Sequence, residues 1–202
     1  MARVRGHSGL GPGRSRPRRG AEERDSAADL AASRGWWVGR GAEVADRTFD
    51  PRLAAARVTP KRCDLFIEDA AEGFVAESWS INGRAPGSPL SGAASQHVLR
   101  VSSPSTPRFL VRGVPRKHEL RFFPREFRNQ SGFVRYHVLM MVAGDFAEVQ
   151  DRLAPMIEDI NRSRLWVVGL DGELVLMSSN EPDGAELERR VALARALVAA
   201  LA

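Results

Sequence analysis

Several residue types and motifs that would announce chemistry are scarce or missing in this sequence. Cys63 is its sole cysteine, which excludes an internal disulfide and a cysteine-rich zinc site. Four histidines, His7, His97, His118 and His137, are scattered singly. None forms a His-x-x-x-His or His-Glu-x-x-His pair that would set two ligands on one helical face. There is no Gly-Lys-Ser/Thr phosphate loop and no Gly-x-Ser-x-Gly elbow, and Gly9-Leu10-Gly11-Pro12-Gly13 has neither the spacing of a dinucleotide loop nor an apolar strand before it. No apolar run approaches the eighteen or so residues of a membrane span, and no short apolar core follows the basic N-terminus as in a signal peptide. The expectation is a cytoplasmic protein that does not enter a membrane and is not an enzyme, with no catalytic residue, metal or cofactor. Cys63 lies beside Lys61 and Arg62, cations that lower a thiol pKa, but an idle cysteine is the commoner outcome. Asp171 and Glu173 flank a glycine, where turn chemistry explains them without catalysis.

Charge is abundant but uneven. The formal charge of +5 is accounted for by residues 1–20, with six arginines against no acid. Residues 84–144 hold ten arginines or lysines against two acids, and residues 145–202 hold eleven acids against six arginines. The remainder of the chain is therefore electrostatically two-sided.

Residues 1–50 are rich in Gly and Arg, poor in large aliphatic side chains and without sustained period, so a disordered basic tail, drawn to residue 58, is expected. The adjacent pair Trp36-Trp37 reads either as a docking motif or as a strap over the core. From Thr59 to Ile81 a helix built on Phe66, Ala70 and Phe74 competes with two strands, and the helix is the expectation. A Gly/Pro/Ser-rich loop follows to Ser95. Four β-like runs come next, at 97–101, 108–114, 118–123 and 133–142. Phe109 and Val111 alternate with Arg108 and Arg112, so one sheet face should be basic.

The residues from Gly144 onward carry the clearest pattern. Asp145 and Glu148 read as helix-start residues before an apolar stripe on Phe146, Val149, Leu153, Ile157 and Ile160, with either a kink at Pro155 or a helix that begins later than Asp145 expected. Asp171-Gly172 joins two runs, 165–170 and 173–178, as a hairpin with a type I′ turn. Both runs are apolar at nearly every position, so both faces of the sheet should be covered there, by helices or by a second subunit. Asp183 with Glu186 then opens a final helix along Leu187, Val191, Ala194, Val198 and Leu201.

This order resembles that of type III secretion chaperones and the related YbjN-like family. The likeness is carried best by Ile160-Asn161-Arg162-Ser163-Arg164-Leu165-Trp166-Val167-Val168 and by Asp171-Gly172-Glu173-Leu174-Val175-Leu176. The Val167–Leu176 hairpin with its following helix is also similar to roadblock-type modules. The first resemblance implies a small, bacterial, non-enzymatic, dimer-forming domain that binds peptide segments or regulates partner proteins.

The fold expectation is thus a single α+β domain over residues 59–202 with an antiparallel sheet, order α-β-β-β-(β)-α-β-β-α, preceded by the basic tail 1–58. The functional expectation is a chaperone-like or regulatory adaptor that works as a homodimer and binds a protein or peptide, with Trp166, Met140 and Met141 at the contact. The alternative is a nucleic-acid-binding face made of Arg108, Arg112, Arg116, Lys117, Arg121, Arg125, Arg128 and Arg135, helped by the Arg-rich arm.

Overall fold

The computed structural model describes residues 16–53, 59–82, 94–113, 132–135, 138–143, 146–170 and 172–202. They form an α+β domain on a nine-stranded sheet in which every pairing is antiparallel. The strands are β1 (Trp37–Gly39), β2 (Thr59–Asp69), β3 (Phe74–Asn82), β4 (Ala94–Ser102), β5 (Arg108–Gly113), β6 (Gly132–Arg135), β7 (Val138–Ala143), β8 (Trp166–Leu170) and β9 (Glu173–Ser178). Four α-helices accompany them: α1 (Arg16–Ser33), α2 (Phe146–Leu153), α3 (Ile157–Arg162) and α4 (Gly184–Leu201). The spatial order β1-β2-β3-β4-β9-β8-β5-β7-β6 places the C-terminal hairpin in the middle of the sheet. Among the described residues no helix is long and apolar enough to cross a membrane.

The central position of β8 and β9 explains their unbroken apolar character. Val167, Leu174 and Leu176 enter a cluster with the helices, while Val168, Leu170, Val175 and Met177 enter a second cluster on the opposite face. Gly172 has φ +84°, as its place in the hairpin predicts, and Leu170 lies opposite Glu173, while Asp171 lies outside the described residues. Gly169 is fixed by close approach, because a Cβ there would lie 2.1 Å from the Pro107 carbonyl and 2.5 Å from the Phe109 ring.

Two expectations are corrected. Residues 59–81 are not a helix but the antiparallel pair β2–β3, turned at Gly73 (φ +67°) with Asp69 Oδ1 accepting from the N–H groups of Ala71 and Glu72. Leu65, Ile67, Phe74 and Ala76 face the helices while Cys63, Phe66 and Trp79 face away, so burial on both sides erased the period of two. The expected tail to residue 58 is likewise replaced over residues 16–53 by α1, β1 and a covering segment, with residues 1–15 and 54–58 outside the described set. Helix α1 escapes a hydrophobicity reading because its buried face is made of Ala27, Ala28 and Ala31. Small residues let it lie close to α4, where the Gly184 N–H donates to Ser26 Oγ at 3.1 Å. A Cβ on Gly184 would come within 3.0 Å of the Ser26 carbonyl.

Other expectations hold. Pro155 ends α2 at Leu153 and forces a 3-10 turn, Ala154–Met156, before α3 resumes. Asp183 caps α4, its side chain accepting from the Glu186 N–H at 2.8 Å. Asp145, the expected cap of α2, lies outside the described residues. Trp36 and Trp37 strap the sheet edge. Trp36 packs edge-on to Phe74 on the helix side, with centroids 4.8 Å apart, and Trp37 packs edge-on to Phe66 on the other side at 5.4 Å.

Candidate functional site

Among the described residues, helices α1 to α4 all contribute to the cluster on one side of the sheet, and none of the four contributes to the cluster on the other. That helix-free face divides into two parts. Over β2, β3 and β4 it is covered by residues 41–53, whose Val44 and Leu53 are buried. Phe49 meets Trp79 edge-on at 5.4 Å, and the Arg47 guanidinium stands 3.2 Å from the centroid of Phe66. This part of the face is thus covered by the chain's own N-terminal segment.

An ion-pair network closes this covered part. Asp50 pairs with Arg100 at 2.7 Å and with Arg52 at 2.6 Å, and Arg52 continues to Glu173 at 3.0 Å. Burial pushes the Asp50 carboxyl up, but the hydrogen bonds from Arg52 and the charge of Arg100 outweigh it, and the net shift is downward. Nearby, Glu77 is buried and accepts from Trp79 Nε1 at 3.1 Å. Desolvation dominates there and holds its carboxyl above the usual range, although Trp79 and Arg100 act against it. The Cys63 thiol is pushed up to about 12 by burial and by the charge of Glu77. Lys61 and Arg62 therefore do not activate it, and at neutral pH it is a thiol with a hydrogen bond to the Leu65 carbonyl.

Over β8 and β5 the side chains of this face, Leu110, Val168 and Leu170, are also buried, and a half-buried pair stands beside them. Trp166 lies directly opposite Arg112 in the ladder, and the Arg112 guanidinium sits 4.0 Å from the Trp166 ring. Both are half-buried. Trp166 is therefore an anchor at a surface and not the fully enclosed core residue that a doubly covered strand predicts. Between Arg108 and Arg112, Leu110 is fully buried in the helix-free cluster, while Phe109 and Val111 face the helices. The predicted alternation along β5 is present. Strand β7 sets Met140 opposite Val111 and Met141 opposite Leu110, and Arg135 lies on the outermost strand opposite Val138. Arg116, Lys117, Arg121, Arg125 and Arg128 fall outside the described residues, as do His7, His118 and His137.

The helix side carries a polar network that sequence reasoning missed. Arg190 is only 3% exposed and binds Glu186 Oε1 at 2.9 Å, His97 Nδ1 at 2.9 Å and the Asn180 carbonyl at 3.4 Å. Burial and the charge of Arg190 hold His97 well below its usual pKa, so its neutral Nδ1 accepts the arginine N–H. Glu181 accepts from Ser78 Oγ at 2.6 Å and from Arg24 at 3.3 Å. These bonds tie the β9–α4 connection to the sheet and to α1, and the one described histidine is thereby committed to packing. The available signal was a pair of polar residues, Asn180-Glu181, directly behind a fully apolar strand.

A shallow groove of about 240 Å³ lies between α1 and β2, lined by Arg24, Asp25, Arg40, Arg62 and Asp64 among others. Its charges are spent on one another, Arg40 with Asp25 and Arg62 with Asp64, both at 2.8 Å. It falls below the usual size of a ligand pocket. Among the described residues no cluster of three His, Cys, Asp or Glu side chains is arranged to hold a metal ion.

An α+β domain with a helix-covered sheet and one helix-free face is the class these observations define. Compared with protein-family models, with curated proteins and with solved structures, the chain shows no match.

Proposed function

We propose that the protein is a binding module that receives a protein or peptide segment beside the Arg112–Trp166 stack, where β8 and β5 meet. The observation that carries this reading is the Arg112–Trp166 stack, an aromatic ring and a guanidinium held side by side and half-buried on adjacent strands. Trp and Arg are the side chains that most often dominate binding energy at protein interfaces, because each joins a large apolar contact to a directed polar group. The resemblance to YbjN-like proteins and secretion chaperones supports the same class, a cytoplasmic, non-enzymatic adaptor without a cofactor. A second copy of the chain is one such partner, in keeping with the homodimer the sequence suggests.

The test is affinity capture from native lysate with the full chain, Arg112→Ala and Trp166→Ala, each checked for fold by circular dichroism. A defined protein retained by the wild type and lost with either substitution supports the reading, and equal retention by all three overturns it. Light scattering of the same samples reads the dimer, expected at twice 22.2 kDa.

The nucleic-acid alternative draws on Arg108 and Arg112, four residues apart on one strand and of one parity. Phosphate contacts require affinity for a generic duplex or single strand that falls steeply with salt. Filter binding at low salt with no retention removes it.

A further inference from the structure

The segment over β2 and β3 is fastened differently from everything else in the fold. Residues 41–53 hold one 3-10 turn, Gly41–Val44, and no strand or α-helix. The backbone bonds within it are local: Glu43 N–H to Arg40 O, Arg47 N–H to Val44 O and Leu53 N–H to Asp50 O. Such bonds survive if the segment moves away from the sheet. What attaches it is side chains: the buried Val44 and Leu53, Phe49 on Trp79, Arg47 on Phe66, and Asp50 on Arg100. Gly41, at its start, has φ +57°, a left-handed conformation that sets a sharp change of direction.

We propose that residues 41–53 form a strap that lifts from the sheet as a unit, with the Asp50–Arg100 ion pair as its latch, baring an apolar surface on β2 and β3 that includes Cys63, Phe66 and Trp79. Opening sacrifices a few side-chain contacts and none of the ladder bonds of the sheet, so it costs less than global unfolding. The latch network reaches the surface through Arg52, 43% exposed, and Glu173, 32% exposed. Salt therefore screens part of it. The bared surface lies at the opposite part of the face from Trp166, so the strap operates whether or not the β8–β5 surface takes a partner.

Cys63 is a built-in reporter: it is the sole cysteine, 1% exposed, and shares its cluster with Val44 and Leu53. The experiment is alkylation of the full-length protein with an uncharged reagent, iodoacetamide, at fixed pH, over a salt series and a series of low urea concentrations. Wild type is expected to label slowly and to speed up several-fold as salt is raised. Asp50→Asn, which keeps the side-chain shape and removes the charge, is expected to label about tenfold faster at low salt and to lose most of the salt response. In both proteins the urea dependence of labelling should be much shallower than that of global unfolding followed by circular dichroism. Labelling that tracks global unfolding in both proteins overturns the strap, as does Asp50→Asn labelling no faster than wild type. Should Asp50→Asn fail to fold, the wild-type salt series and Arg52→Gln, at a more exposed point of the same network, decide the matter by the same urea slopes.

Discussion

Gly169 is the residue at which the fold tolerates least. Its missing side chain is filled from one side by the Phe109 ring and closed from the other by the Pro107 carbonyl, so Gly169→Ala must displace backbone. Urea unfolding should register a loss of about 3 kcal/mol or more, the upper part of the range for overpacking. Glu77 makes the reverse case. Its folded carboxyl titrates above the ordinary value of 4.5, mainly because burial disfavours its charge. Stability from this group is fully present below the ordinary pKa and is lost as pH rises through the folded pKa. Gln at this position keeps an acceptor for Trp79 Nε1 and has no charge to bury. Glu77→Gln should therefore match wild type near pH 4 and become the more stable of the two above it, the gap opening by at most about 1.4 kcal/mol per pH unit. Urea midpoints measured from pH 4 to 8 check this. Trp166→Ala should cost about 2 kcal/mol, less than a fully enclosed tryptophan would, because the side chain is half-buried.

Among the elements, those whose signals are local were legible in the sequence. The hairpin glycine Gly172, the Pro155 break and the Asp183 cap depend on the residues themselves, and the structure carries each of them. Elements defined by what packs against them were not. Strands β2 and β3 lose their alternation because both of their faces are buried, and α1 lacks large apolar residues because it nests against α4 through alanines. The Arg112–Trp166 pair had the same fate: β5 and β8 were each visible, but their adjacency was not, since fifty-odd residues separate them in the chain. The boundary drawn at residue 58 has a direct test. Deleting residues 1–53 removes α1, β1 and the strap, uncovering parts of both clusters. Such a fragment is expected to bind a hydrophobic dye and to lose cooperative thermal unfolding, whereas deletion of residues 1–15 alone should leave the melting midpoint within a few degrees of wild type. The outer edge of β2 beyond β1 shows how an open sheet border is kept from pairing: Pro60, Lys61, Arg62 and register shifts at Pro60/Arg62 and Cys63/Leu65 interrupt the template another strand would need.

For the molecule as a whole, the order of strands in space departs from their order in the chain at one decisive place. Strands β4 and β5 are neighbours in sequence, yet β9 and β8 stand between them, and α4, the final helix, is the partner of α1, the first. A ribosome delivers this chain from the other direction. Until β8 and β9 emerge from the exit tunnel, β4 and β5 have no central hairpin to pair with, and until α4 follows, α1 lacks the helix it lies against. A domain folds as a unit, and only when the segments it needs have been synthesised. Here the sheet closes only once β8 and β9 have been made, so β4 and β5 each keep an unpaired border through the synthesis of residues 114–165, and that interval is when the nascent chain is most exposed to aggregation.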